Sequence, residues 1–159
     1  MSQFKVEKGG DASSITLSFE GSVDEDAVFS SIELDSGAQT VVLDLEKISS
    51  INSCGIREWI KWIKTIPSTA AITYKNCPKV IVDQINMVAG FLPDNASVES
   101  FYVPYYSEDS GNEKMILFTK GKEFTDSGVD APEEITDSET GEELEMDVIE
   151  AKYFKFLNK

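Results

Sequence analysis

Six consecutive residues, Asn52-Ser53-Cys54-Gly55-Ile56-Arg57, place a hydroxyl, a thiol and a guanidinium within about two turns of a helix. A serine where a helix begins meets free backbone N–H groups and the positive end of the helix dipole. The fold would tolerate a phosphate there. It would add about −1.5 to −2 charges at a contact surface. Serine is also a favoured N-cap residue, contributing about 1 kcal/mol, so Ser53 reads as either a cap or a modification site. Cys54 reads as a small buried residue beside Gly55, or as a thiol activated by the helix N-terminus. Cys77, just before Pro78, has core-like surroundings. Trp59 and Trp62 lie three apart. Trp59 belongs to an apolar stripe, whereas Trp62 lies toward its edge and reads as a packed residue or an interface anchor.

Other chemistry is thin. The chain has no histidine, so Ser-His-Asp and Cys-His catalysis are excluded within it. The carboxylates Asp24-Glu25-Asp26 and Asp44 with Glu46 could do acid-base work. They fall in a loop and near a strand end, without a nucleophile, a metal set or a Gly-rich phosphate loop, and read as solvated charges. We therefore expect no enzyme activity, no cofactor and no metal. The net charge of −15 disfavours nucleic acid and anionic lipid, which select basic surfaces. Two cysteines argue against a disulfide scaffold. No apolar run is long enough to span a membrane, and the N-terminus lacks a secretion pattern. The expected location is the cytoplasm, without membrane insertion.

The elements that position these residues follow from periodicity. Phe4 to Glu7 reads as a short strand. Gly9-Gly10-Asp11 then makes a turn, and Ile15, Leu17 and Phe19 alternate in an antiparallel partner. Asp24 or Ser22 would cap a short helix using Ala27, Val28, Ile32 and Phe29. Thr40 to Leu45 reads as a central strand covered on both faces, followed by the loop 48–52. Ile56, Trp59, Ile60, Ile63 and Ile66 mark a helix over 54–66, ended by Pro67. Ala70 to Tyr74 is the next strand. A helix opened by Pro78 buries Val80, Ile81, Ile85, Val88 and Ala89, with Gly90 as its cap. A final strand runs over 97–102, with Pro104 at or past its end. The order β-β-α-β-α-β-α-β predicts an α/β fold, a mixed sheet flanked by helices.

Here the chain resembles STAS domains, the fold of bacterial anti-sigma factor antagonists. Their signature is an apolar-Asp-apolar strand end, then a loop with Asp-Ser-Ser-Gly or Asp-Ser-Thr-Gly, then a helix. This chain has Leu43-Asp44-Leu45 and Asn52-Ser53-Cys54-Gly55. Asn52 stands where the family usually has Asp, and Arg57 where it often has Gly. The resemblance spans residues 1–104 and implies that Ser53 is the serine phosphorylated by a partner kinase that is also the anti-sigma factor. It implies a partner surface of Asn52, Ser53, Cys54, Gly55, Arg57, Lys61 and Trp62.

Residues 105–159 form a separate, more acidic stretch. They carry 15 acidic and 6 basic side chains, against 14 and 8 in residues 1–104. Lys114 to Thr119 would pair with 101–106 as a hairpin. Residues 121–143 read as a mobile acidic loop. Leu144, Met146 and Val148 alternate as a strand. Tyr153, Phe154, Phe156 and Leu157 cluster on a short terminal helix that docks back onto the body. Ser107-x-x-Ser110 and Asp137-x-x-Thr140 sit in knuckle-like turns, which read either as plain acidic loops or as a small extension that resembles a zinc ribbon that has lost its cysteines. Under either reading, three hydroxyls and the Asp137 carboxylate in place of four thiolates predict no structural zinc, and an EF-hand spacing for calcium is missing.

These readings predict a non-catalytic regulatory module that binds a signalling protein such as an anti-sigma kinase and is switched at Ser53. The alternative is a STAS-type accessory subunit of a lipid-transport ATPase complex. The charge favours a monomer, and an exposed hairpin edge would allow a weak dimer.

Overall fold

The structure, a computed structural model, describes residues 3–11, 13–29, 32, 37–125, 128–130, 132 and 134–157. Strand β1 (Lys5–Gly10) pairs antiparallel with β2 (Ser14–Val23). The Asp11 carboxylate closes the turn between them by accepting the N–H groups of Ser13 at 2.9 Å and Ser14 at 2.8 Å. Then follow β3 (Thr40–Ile51), α1 (Ser53–Ile63), β4 (Ala71–Lys75), α2 (Lys79–Met87) and β5 (Ala96–Val98). These strands form a five-stranded mixed sheet in the order β1-β2-β3-β4-β5, with every pair after the first parallel. Right-handed crossovers that always step the same way place α1 and α2 on one face.

The alternation along the strands follows from that. Ile15, Leu17, Phe19, Val41, Leu43, Leu45, Ile72 and Tyr74 are buried. Thr16, Ser18, Val42, Asp44 and Thr73 on the other face are half-buried. So β3 is not covered on both faces, as its apolar run suggested. Aromatic rings fill the helix side. Trp59 stacks on Phe91 at 5.6 Å and meets Phe19 edge-on at 5.1 Å. Its indole N–H donates to the Tyr74 hydroxyl at 3.1 Å, which donates to the Phe91 carbonyl at 2.5 Å.

Three expectations change here. Residues 48–51 are not a loop, because β3 stays paired with β2 to the Val23–Ile51 position. The expected helix after β2 is not seen among the described residues. Asp24 makes a single turn instead, accepting the Ala27 N–H at its carbonyl and the Asp26 N–H at its carboxylate. Ala27 and Phe29 are still buried, while Val28 is exposed. Residues 30, 31 and 33–36, where that helix would continue, lie outside the described ones. On α2 the buried residues are Ile81 and Val82, and the helix ends at Met87.

The strand expected over 97–102 is divided. Its first part is β5, and its second is β6 (Ser100–Tyr106), which belongs to another sheet. That four-stranded antiparallel sheet has the order β10-β11-β6-β7, with β7 (Glu113–Thr119), β10 (Glu134–Thr136) and β11 (Glu143–Met146). The predicted hairpin is present, with Tyr105 opposite Lys114. Residues 121–143 are not a featureless loop, since they hold β10 and a ribbon of β8 (Phe124–Thr125) with β9 (Gly128–Val129). The extension is therefore larger than predicted and has its own aromatic cluster. Phe101 and Phe118 pack with Phe124 and with Tyr153, Phe154 and Phe156 of the tail, where α3 (Glu150–Tyr153) and a 3-10 turn (Lys155–Leu157) end the chain.

That tail docks on α2. The Asn86 side chain donates to the Tyr153 carbonyl and accepts the Phe156 N–H, both at 2.9 Å. Cys77 and Tyr102 also join the two sheets through a backbone bond of 2.8 Å.

Candidate functional site at the start of the first helix

The surface around residue 53 is built by β2, β3 and α1 together. Parallel pairing carries β3 to Ile51, and the Asn52 N–H then donates to the Val23 carbonyl at 3.1 Å. Asn52 turns the chain with an extended backbone, and its side-chain oxygen accepts the Gly55 N–H at 2.8 Å. The cap is therefore Asn52, not Ser53. Gly55 is buried, and a Cβ there would stand 2.0 Å from the Val23 carbonyl oxygen. Only glycine lets the first turn of the helix press this closely on the end of β2.

With capping assigned to Asn52, Ser53 is the first helical residue and is exposed. Among the described residues its hydroxyl makes no hydrogen bond. The backbone N–H groups of Ser53 and Cys54 precede the helix's own bonding and point the same way. The Asn52 amide also donates to Glu25 at 2.9 Å. That bond is the main reason the Glu25 carboxyl lies below its ordinary range. Ser50 donates to Ser22 at 3.0 Å. Sequence reasoning missed both links, because they join residues 27 and 28 positions apart. The parallel register of β2 and β3 was the one signal that could have suggested them.

The other predicted surface residues divide. Arg57 and Lys61 are exposed, and both reach toward Glu58, at 3.9 and 3.7 Å. Such loose surface pairs contribute little and leave both cations available. Cys54 is half-buried and unpaired. Trp62 is not a protruding anchor. It is 6% exposed, stacks on Phe29 at 5.5 Å and meets Trp59 and Phe19 edge-on. Only its edge reaches a shallow groove of about 360 Å³ that Phe29, Ile32, Glu58, Lys61 and Thr65 also line. The step from 59 to 62 turned this ring toward the aromatic layer because Phe29 covers it.

The structure does not assemble the carboxylates into one centre. Asp44 lies opposite Ser18 on β2, six positions and so about 20 Å along the strand from Asp24. Asp44 accepts from Asn76 at 3.3 Å, and Glu46 accepts from the Tyr102 hydroxyl. That second bond pushes the Tyr102 phenol up to about 12. Burial pushes the Cys77 thiol up as well. Among the described residues no group of three or more His, Cys, Asp or Glu side chains is placed to hold a metal. None of their helices is long and apolar enough to cross a membrane.

No protein-family model, curated protein or solved structure matches this chain.

Proposed function

We propose that this protein is a non-catalytic binding module of the STAS, anti-sigma-factor-antagonist kind. Its contact surface is the start of α1: Asn52, Ser53, Cys54 and Gly55, with the cations Arg57 and Lys61 on the following turns. Its partner is a signalling protein, and Ser53 is its switch. The observation that carries this reading is the division of labour at residues 52 and 53. Asn52 meets the helix's capping need, and Ser53 is left exposed beside free N–H groups. A phosphate on Ser53 would lie at the positive helix end, with Arg57 one turn further on. It would change the charge of the surface without disturbing the core, so it would release a partner rather than unfold the domain.

Wild type and Ser53→Ala are incubated with ATP and lysate, then analysed by intact mass and peptide mapping. Wild type gains one phosphate on Ser53 and Ser53→Ala gains none. In parallel, Ser53→Asp loses a partner that wild type retains, while its thermal midpoint is unchanged or slightly raised by the added charge at the helix start. An unmodified Ser53, together with identical partners for wild type and Ser53→Asp, would sink the proposal.

A further inference from the structure

Two turns at the same end of the C-terminal sheet share their backbone bonds and one side-chain bond position for position, and differ by one place in another. Residues 107–112 join β6 to β7, and residues 137–142 join β10 to β11. In each, the first N–H donates to the sixth carbonyl: Ser107 to Asn112 at 2.9 Å and Asp137 to Glu142 at 2.8 Å. In each, the fifth residue is a glycine whose N–H returns to the first carbonyl at 2.8 Å. Both glycines are left-handed, with φ of 76° at Gly111 and 74° at Gly141. The first side chain accepts an N–H from inside its own turn, Ser107 from Ser110 at 3.3 Å and Asp137 from Glu139 at 3.0 Å. The fourth side chain accepts the sixth N–H, Ser110 from Asn112 at 3.3 Å and Thr140 from Glu142 at 3.2 Å.

A six-residue turn that gathers N–H groups around its first and fourth side chains is the form in which a Cys-x-x-Cys pair holds zinc. Two such turns make a tetrahedral site when they face each other. Here they are neighbours, since β11 pairs with β6 at Glu145–Tyr106 and Ser110 donates to Glu142 at 2.6 Å. The donor set does not suit zinc. Three neutral hydroxyls and one carboxylate supply neither the thiolates nor the imidazoles that zinc selects. A cation is present nonetheless. Lys114, from β7, places its ammonium 2.9 Å from Asp137, whose side chain is only 12% exposed. This bond lowers the Asp137 pKa and raises that of Lys114.

We propose that these turns are a zinc-type frame closed by an ion pair. The Lys114–Asp137 pair ties the second knuckle to β7 just past the first, and the Ser110–Glu142 bond ties the knuckles to each other, in place of the tetrahedral metal that would otherwise join them. The frame itself, set by Gly111, Gly141 and the backbone bonds, is retained.

The test restores the thiolates. A variant carrying Ser107→Cys, Ser110→Cys, Asp137→Cys and Thr140→Cys is titrated with Co(II), with wild type as the control for Cys54 and Cys77. The expected result is one Co(II) per chain with the intense visible bands of tetrahedral thiolate coordination, displaced by zinc. A variant with only the first two substitutions does not give the bands as a 1:1 monomer. If the fourfold variant folds only when zinc is supplied, that also supports the proposal. Wild type supplies the second arm. Its thermal midpoint is unmoved by zinc or a chelator. Lys114→Met and Asp137→Asn each lower the midpoint, and the double variant lowers it no further than the worse single one. Overturning results are a fourfold variant that gives no tetrahedral signal or cannot be folded with zinc, a wild type that takes up zinc through Asp137, or additive effects of Lys114→Met and Asp137→Asn.

Discussion

The two halves of the molecule solve the same problem by different means. In the first, three parallel pairings and two helices enclose a ring cluster centred on Trp59. In the second, hairpins bring Phe101 and Phe118 against the tail rings. Parallel pairing joins residues far apart in sequence, whereas a hairpin is closed locally by its turn. The first half is thus specified by packing, down to a glycine that admits no Cβ. The second is specified by turn chemistry and contributes a smaller share of the one continuous core. The proposed contact surface is on the packed half, where its position depends on the fit of α1 against β2.

Removing the central rings should break this comparison most strongly. Trp59→Ala and Phe118→Ala each delete a fully buried ring and should cost about 3–5 kcal/mol, read by urea unfolding. Both tryptophans lie in the first half, so their emission follows that half alone. If Phe118→Ala lowers the far-ultraviolet midpoint while the tryptophan midpoint stays at the wild-type value, the halves are independent. Coincident shifts show one cooperative unit. The docked tail leads us to expect coincidence.

Gly55→Ala should come next, at about 1–3 kcal/mol, because the new methyl meets backbone rather than a movable side chain. It should also shift the amide resonances of Ser53 and Cys54. Asn86→Ala leaves the Tyr153 carbonyl and Phe156 N–H without their shared partner. A loss of about 1–3 kcal/mol is expected, with faster hydrogen exchange over 150–157 and little change near residue 53. Asn52→Ala removes the cap, at about 0.5–2 kcal/mol.

The smallest effect is one of pH. Glu25 titrates below its ordinary range because Asn52 donates to it. The stability it lends is therefore in place above the unfolded-state pKa and is lost as the pH falls through the lowered folded value. In Asn52→Ala the Glu25 carboxyl should titrate nearer its ordinary value, as an NMR titration would show.

The strands and helices of the first half were legible because their periodicity is strong, as in Ile15-Leu17-Phe19 and in the stripe through Trp59 and Ile63. What was not legible depended on partners. Serine and asparagine are equally good caps, so the choice between Ser53 and Asn52 rested on how far β3 stays paired with β2. The change of sheet at Glu99 had no local sign. Pro104 reads as a strand end but sits inside β6. Its carbonyl accepts the Asp147 N–H at 2.9 Å, just past the last β11 pair at Met146. Its missing N–H therefore falls where the ladder has already stopped. The strands over 121–143 are only two or three residues long, too short for alternation to show. At the candidate site, the positions of Arg57 and Lys61 followed from helix spacing, while Trp62 depended on Phe29, whose described neighbours form a turn after β2 where a helix was expected.

Glu99 alone stands between β5 and β6. Its N–H donates to the Tyr74 carbonyl in one sheet, and its carbonyl accepts the Lys120 N–H beside the other, both at 2.8 Å. The polypeptide therefore offers a protease no slack to grip at this junction. A fragment truncated there would bare the underside of α2 and strip Cys77 and Asn86 of their neighbours, so the halves should be expressed, stored and degraded as one.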